Sequence, residues 1–341
     1  MLTCVTKSLA IAAMLAATAI ATTLSASAEE STSPGPEYYS ALKGKKVGFV
    51  PISMGFDLTQ GWLAGMQRQA KELGYEIIVR DPNWSVESGI QAINSLIAEK
   101  PDLLIIQNND DRSYNRLVKQ AMAAGIPTIQ VQQRVQTPSD AYIGPDWYDI
   151  GKKTATALAA KCGKGTSGKV AVVQGARAAP ASILMLAGVE DTLKAIPEIQ
   201  IVSSQAADWD TTKAYAIMST VLKQHADLCG VVGFWDVADL GSAAAIREAG
   251  LKDKVTLVTS GGGKRDAACE KITAGDFSVY YSYNVAGQAR DLNSAIKMLL
   301  QAKMKPGSAP FALLSPLTQI TKENMSPTSC WMQAEIEQAG G

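Results

Sequence analysis

Lys46-Val47-Gly48-Phe49-Val50-Pro51-Ile52-Ser53-Met54-Gly55-Phe56-Asp57 is the stretch on which the rest of the chain depends. Its apolar run reads as a short strand that passes through a loop into a helix beginning near Asp57 or Thr59. Gly55 supplies backbone freedom for the turn, and Asp57 or Thr59 is suited to cap the helix. In an open α/β sheet, ligands collect just beyond the carboxyl ends of the strands. Phe56 and Asp57 therefore stand at the mouth of a site. The competing reading is a buried aromatic plug beside an ordinary cap.

Outward from this stretch the same rhythm repeats. Helical spacing over 58–73 stops at Gly74, a strand covers 76–80, and a helix over 85–99 places Ile90, Ile93, Leu96 and Ile97 on one face. Strands at 103–107 and 128–132 flank a helix at 114–124. Tyr142-Ile143-Gly144-Pro145-Asp146 breaks the composition and marks a crossing between two halves. Beyond it, helices at 147–160, 181–195, 211–225, 237–249, 265–274 and 285–302 alternate with strands at 169–174, 200–204, 230–234, 255–259 and 278–282. A short last strand falls at 312–314, before a tail containing Cys330-Trp331. Alternation of apolar strands with helices predicts an α/β fold of two similar halves, each a parallel sheet covered on both faces.

The 341 residues suit two domains. Thirty-two basic residues balance 32 acidic ones, so no basic stripe points to nucleic acid or an anionic membrane surface. Residues 1–28 read as a signal peptide: Lys7, an apolar run over 8–22, then Ala26-Ser27-Ala28 as the cleavage signature. The run is too short to span a bilayer, and no lipid-attachment cysteine follows it. Residues 29–45 read as a flexible lead-in, and the mature protein is expected in the periplasm. Cys162, Cys229, Cys269 and Cys330 remain after export, with three possible pairings. Cys162 ends a helix and Cys229 precedes a strand at the same edge, which favours that pair. Cys269 and Cys330 then tie down the tail.

Enzyme motifs are scarce. No Walker loop, nucleophile elbow or zinc-protease pair is present, and the one histidine, His225, closes a helix. Gly163-Lys164-Gly165-Thr166-Ser167-Gly168 has the letters of a dinucleotide fingerprint but precedes a strand instead of following one. No metal, cofactor or catalytic residue is expected. What recurs at successive strand ends is a set of aromatic, amide and carboxylate groups: Phe56 and Asp57; Asn109; Gln132, Gln133 and Arg134; Trp147; Trp209; Trp235 and Asp236; Tyr283. Sugars and polyols offer C–H faces to aromatic rings and hydroxyls to planar polar groups, and these residue types supply both.

In K-K-V-G-F-V-P, G-M-Q-R-Q-A-K-E-L-G-Y, L-L-I-I-Q-N-N-D-D, A-G-I-P-T-I-Q-V-Q, Y-I-G-P-D-W-Y-D-I-G, A-D-W-D and V-V-G-F-W-D, taken in order, the chain resembles the ribose-type periplasmic solute-binding proteins of sugar ABC importers. The resemblance covers roughly residues 46–314. It implies two Rossmann-like lobes, 46–143 plus 284–314 and 144–283 plus 315–341, joined by a three-segment hinge with the ligand between them. It also implies a monomer that delivers a sugar, polyol or related ring compound to an inner-membrane permease. Some positions depart from the family's pattern. Gln132-Gln133 replace an Asp-Arg pair beside Arg134, Met185 stands near the family's sugar-clamping arginine, and Trp235 and Tyr283 replace amides. Such a pocket is more aromatic and less hydrogen-bonding than a ribose site. The Pro-Asp-Trp segment also resembles sensor members of the superfamily, whose partner is a membrane histidine kinase.

Overall fold

The computed structural model describes residues 35–338, so the predicted signal peptide lies outside the described residues. The chain begins with α1 (Pro36–Ser40), β1 (Lys46–Val50), α2 (Asp57–Leu73), β2 (Glu76–Val79), α3 (Val86–Glu99), β3 (Leu103–Ile106), α4 (Asp111–Ala123), β4 (Thr128–Val131) and β5 (Ala141–Gly144). It crosses to α5 (Trp147–Cys162), β6 (Lys169–Gln174), α6 (Pro180–Lys194), β7 (Gln200–Ala206), α7 (Thr211–Gln224), β8 (Gly230–Gly233), α8 (Asp236–Glu248), β9 (Thr256–Gly261), α9 (Cys269–Ala274) and β10 (Val279–Ser282). Then follow α10 (Val285–Ala302), β11 (Phe311–Leu314), β12 (Thr318–Ile320) and α11 (Gln333–Gln338).

Two six-stranded sheets result, in the orders β11-β5-β4-β3-β1-β2 and β12-β10-β9-β8-β6-β7. Every strand pair is parallel except β10 with β12. β3, β4, β5 and β8 are buried at every residue, as strands covered by helices on both faces must be. The chain passes between the sheets after β5, after β10 and after β11. Three crossings of this kind leave two lobes free to hinge while their carboxyl-terminal strand ends face one another.

Periodicity explains how the first helix is seated. Leu58, Trp62, Met66 and Ala70 recur every fourth residue on the buried face of α2, and Gly74 ends the helix at φ 74°. The Trp62 indole donates to Gln288 Oε1 at 3.0 Å, joining α2 to α10. Asp110, Asp146 and Asp210 cap α4, α5 and α7, each accepting from the backbone N–H three residues on. The Cys162–Cys229 and Cys269–Cys330 disulfides are both present.

Several elements differ from the sequence expectation. Residues 36–40 form a helical turn within the lead-in, and Leu42 is fully buried, because an isolated apolar side chain found a place in the core. The stretch read as a composition break contains β5, a buried edge-to-edge partner for β11. The helix expected over 265–274 begins only at Cys269. The tail, expected to belong wholly to the second lobe, divides. Cys330 is bonded to Cys269 there, whereas Ile336 of α11 packs toward Gly61 and Gly65 of α2. Those two glycines leave the groove that an apolar tail residue fills. Among the described residues no helix is long and apolar enough to cross a membrane.

Candidate functional site

A cavity lies between the lobes at the carboxyl ends of β1, β2, β3, β4, β7, β8 and β10. The loop after β1 brings Phe56 and the loop after β2 brings Trp84; from the other lobe come Trp209 after β7 and Trp235 after β8. Phe56 stacks on Trp84 with ring centroids 5.2 Å apart and meets the edge of Trp235 at 5.5 Å. Trp209 meets Trp235 edge-on at 6.2 Å. Deeper in, Trp147 at the start of α5 meets Tyr283 edge-on at 5.5 Å. These are the separations at which aromatic pairs attract, and one of them, Phe56 with Trp235, bridges the lobes. The space left for water-sized occupants is about 40 Å³, enough for a few waters. A ring-sized solute must part the lobes or spread the indoles to enter.

The polar groups of the cavity are amides and indoles. Gln107 Oε1 accepts from Ile52 N at 2.9 Å, and Gln133 Oε1 accepts from Ala181 N across the cleft at 3.3 Å. Trp147 Nε1 donates to the Gln132 carbonyl at 2.5 Å, again from one lobe to the other. Gln132 is 2 % exposed, yet both ends of its side-chain amide lack a partner, although it lies close enough to Tyr283 to lower that hydroxyl's pKa. Trp209 Nε1 is likewise buried and unpaired. Unsatisfied buried amides are costly and rare. Among the described residues no Asp, Glu, Lys or Arg lines the space.

Backbone strain collects here too. Asn83, Trp84, Gln132, Asp208, Trp209 and Asn284 all have φ between 48° and 70°. For Trp and Gln this left-handed region is unfavourable and survives only where surrounding structure enforces it.

The structure brings seven of the expected residues to the cavity: Phe56, Gln132, Gln133, Trp147, Trp209, Trp235 and Tyr283. Four stand elsewhere. Asp57 is not a cap but the first residue of α2, and its carboxylate accepts from Leu58 N at 2.8 Å. Asn109 donates to the Trp84 carbonyl at 3.1 Å from outside the wall. Arg134 is exposed and lies over the outer Tyr142 ring at 5.7 Å. Asp236 is buried behind the wall, where Tyr280 donates to it at 2.7 Å and Val237 N at 2.9 Å. Sequence reasoning missed Trp84, Gln107 and Phe234. Gln107 and Phe234 were legible as strand-end residues; Trp84 follows Asp-Pro-Asn, a turn signal.

A buried acidic layer underlies the cavity. Burial first, then the nearby Asp57 carboxylate, pushes Asp236 well above the usual carboxyl range, against the pull of the Tyr280 hydrogen bond. Burial also raises Asp57, with Lys264 opposing. Asp239 is pushed up to about 8 by burial alone, and Thr259 donates to it at 2.5 Å. Tyr283 is raised by burial and by both acids, Asp236 and Asp57. None of these three acids lines the cavity itself, whose described lining is apolar, aromatic and amide.

The periplasmic binding protein domain profile matches residues 47–304. The ribose import binding protein RbsB of Bacillus subtilis is 29% identical over 204 residues, 60% of this chain and 65% of that protein. The fructose import binding protein FruE of Bifidobacterium longum is 26% identical over 256 residues, 72% of this chain and 76% of that one. The match to a D-apiose import binding protein of Paraburkholderia graminis, 27% over 199 residues, spans 61% of its length. The chain thus covers less than two thirds of the first and third of these relatives. Among solved structures, a carbohydrate transporter solute binding protein from Agrobacterium radiobacter in complex with D-arabinose superposes with a TM-score of 0.74 at 19% identity, covering 83% of this chain and 96% of that one. The fructose-binding periplasmic domain of a hybrid two-component system superposes at 0.75 with 20% identity, covering 82% and 91%. With most of its length matched by the family profile and its two-lobed α/β fold shared with these structures, the chain belongs to the periplasmic binding protein family.

Proposed function

We propose that this protein is the solute-binding component of an ABC importer, capturing a small sugar-like ring compound between its lobes and handing it to a membrane permease. The observation that carries this reading is the interlobe cavity itself. Aromatic side chains from both lobes wall it, and the buried, unpaired amide of Gln132 faces it. Such an arrangement is suited to binding. Among the described residues the lining holds no carboxylate, histidine, cysteine or serine, and its one hydroxyl, Tyr283, is pushed well above the ordinary tyrosine pKa by burial. The import proteins among its relatives support the same role. Contacts such as Trp147 to Gln132 and Ala181 to Gln133 join the lobes across the cleft and favour the closed arrangement.

A ligand that binds only the folded protein raises its melting temperature. A thermal-shift screen of neutral sugars and polyols is expected to give at least one saturable rise, lost in Trp235→Ala. A screen in which no sugar or polyol moves the melting temperature contradicts the proposal. The hybrid two-component domain among the similar folds supports a second role, as a sensor partner. Crosslinking in membranes separates the two: a permease adduct supports import, and a histidine-kinase adduct supports sensing.

A further inference from the structure

The hydrogen-bonding inventory of the cavity constrains its ligand more tightly than the fold does. Gln107 and Gln133 already lend their carbonyl oxygens to Ile52 N and Ala181 N. Their amide N–H groups remain as donors. Trp209 Nε1 is a donor only and is free. The Gln132 amide is free at both ends, and whichever way it is turned it offers one acceptor and one donor. The Gln132 backbone carbonyl, another acceptor at this wall, is taken by Trp147 Nε1. No carboxylate lines the space to receive hydroxyl protons. The Tyr283 hydroxyl adds one group that can donate or accept, so free donors in the cavity outnumber free acceptors.

A fully hydroxylated sugar brings a proton on every hydroxyl, and each needs an acceptor. Here the Gln132 oxygen and the Tyr283 hydroxyl serve only some of them, and each proton left unmet costs binding free energy. A ring or carbonyl oxygen, by contrast, accepts from Trp209 Nε1 and from an amide N–H at no such cost. Removing hydroxyls also bares C–H surface to Trp84, Trp209 and Trp235, and shrinks the ligand toward the small space available. We infer that the cavity selects a neutral, hydroxyl-poor ring with an accepting oxygen, a deoxy or anhydro sugar in preference to its fully hydroxylated parent. The inference rests on the solute-binding reading above and specifies its ligand. One hydroxyl on the ligand is matched by the open Gln132 oxygen, and the ligand's accepting oxygen by the Trp209 indole.

Isothermal titration of the mature chain with D-ribose, deoxyribose and anhydrodeoxyribitol tests it, with choline as a cationic control. Affinity is expected to rise about tenfold with each hydroxyl removed. Trp209→Phe keeps a ring and loses the N–H; it is expected to weaken anhydrodeoxyribitol about tenfold. The unfolding transition of that variant, followed in parallel, shows that it folds. Tightest binding of D-ribose overturns the inference and leaves the solute-binding reading intact. Preference for choline also overturns it, because the aromatic wall would then be a cation cage. Failure of all three ribose-derived probes overturns it as well, and the wider sugar screen then decides the solute-binding reading separately.

Discussion

Gln132 concentrates what is unusual about the site in one residue. Its backbone is held at φ 63°, its carbonyl receives the Trp147 indole from the opposite lobe, and its side-chain amide has no partner. A strained residue with unspent hydrogen bonds is destabilising unless something else occupies them. In the second lobe, Asp239 of α8 carries a testable signature. Its folded pKa of about 8 lies above the ordinary 3.8, so the native state holds a proton that the unfolded chain has lost across that window. Stability should therefore fall as pH rises from about 4 to about 8, by at most about 1.4 kcal/mol per pH unit from this group. Asp239→Asn, which accepts from Thr259 without ionising, is expected to flatten that fall in a urea-melt series across the range. An unchanged slope would show that Asp239 titrates normally. At this scale the sequence was legible in position but not in direction. Asp57 and Asp236 do stand at strand ends beside the cavity, yet Asp236 turns inward to Tyr280 and Asp57 folds back on its own helix. Residue type and spacing carry no information about that choice. Trp84 went unassigned to the site for the converse reason: it lies in the loop before α3, where no apolar periodicity marks which side chains turn inward.

Among the elements, the pair α5 and α6 does most to position the cavity's far wall. Gly151 of α5 lies where any Cβ would collide with the Met185 carbonyl of α6, and Gly188 of α6 meets the Tyr148 carbonyl in the same way. Two reciprocal glycines let the helix backbones touch. Trp147 sits one turn before Gly151 and Ala181 one turn before Met185, so the contact sets the depth at which both line the cavity. Gly151→Ala must push the helices apart. It is expected to cost about 1–3 kcal/mol of stability, as overpacking does. It should also weaken ligand binding through Trp147, which equilibrium melts and titrations of the same variant will read. Loss of neither would mean that the helix pair has slack. Strong periodicity made α2, α3, α7 and α10 legible. The four residues of β5 and the three of β12 were not, because so short a strand takes its identity from the neighbour it pairs with. Met185 shows the same limit: the family's sugar-clamping arginine has no charged counterpart in the cavity, and Met185 itself is buried between α5 and α6.

For the whole molecule, the order of alternating elements determined the two-sheet architecture and the crossings between lobes, and that order is what the sequence displays most openly. Closure is less legible, since it arises from contacts between segments far apart in the chain. Phe56 against Trp235 and Trp147 against Gln132 are examples. The tail adds a further tie across the hinge. Trp331 is bound to the second lobe through its indole N–H to the Gly262 carbonyl at 2.8 Å, while α11 rests on α2 of the first. The tryptophans also provide the readout for the central claim. The chain has six, and Trp84, Trp147, Trp209 and Trp235 line the cavity, leaving Trp62 and Trp331 in the body of the protein. A solute entering the cleft must change the surroundings of these four. Intrinsic fluorescence titration of the mature protein with the sugar that raises its melting temperature is the most direct test. The account predicts a saturable change in emission that is largely lost in a Trp209→Phe, Trp235→Phe double variant. Saturable binding with emission unchanged in the native protein would place the ligand outside the interlobe cavity and contradict the account.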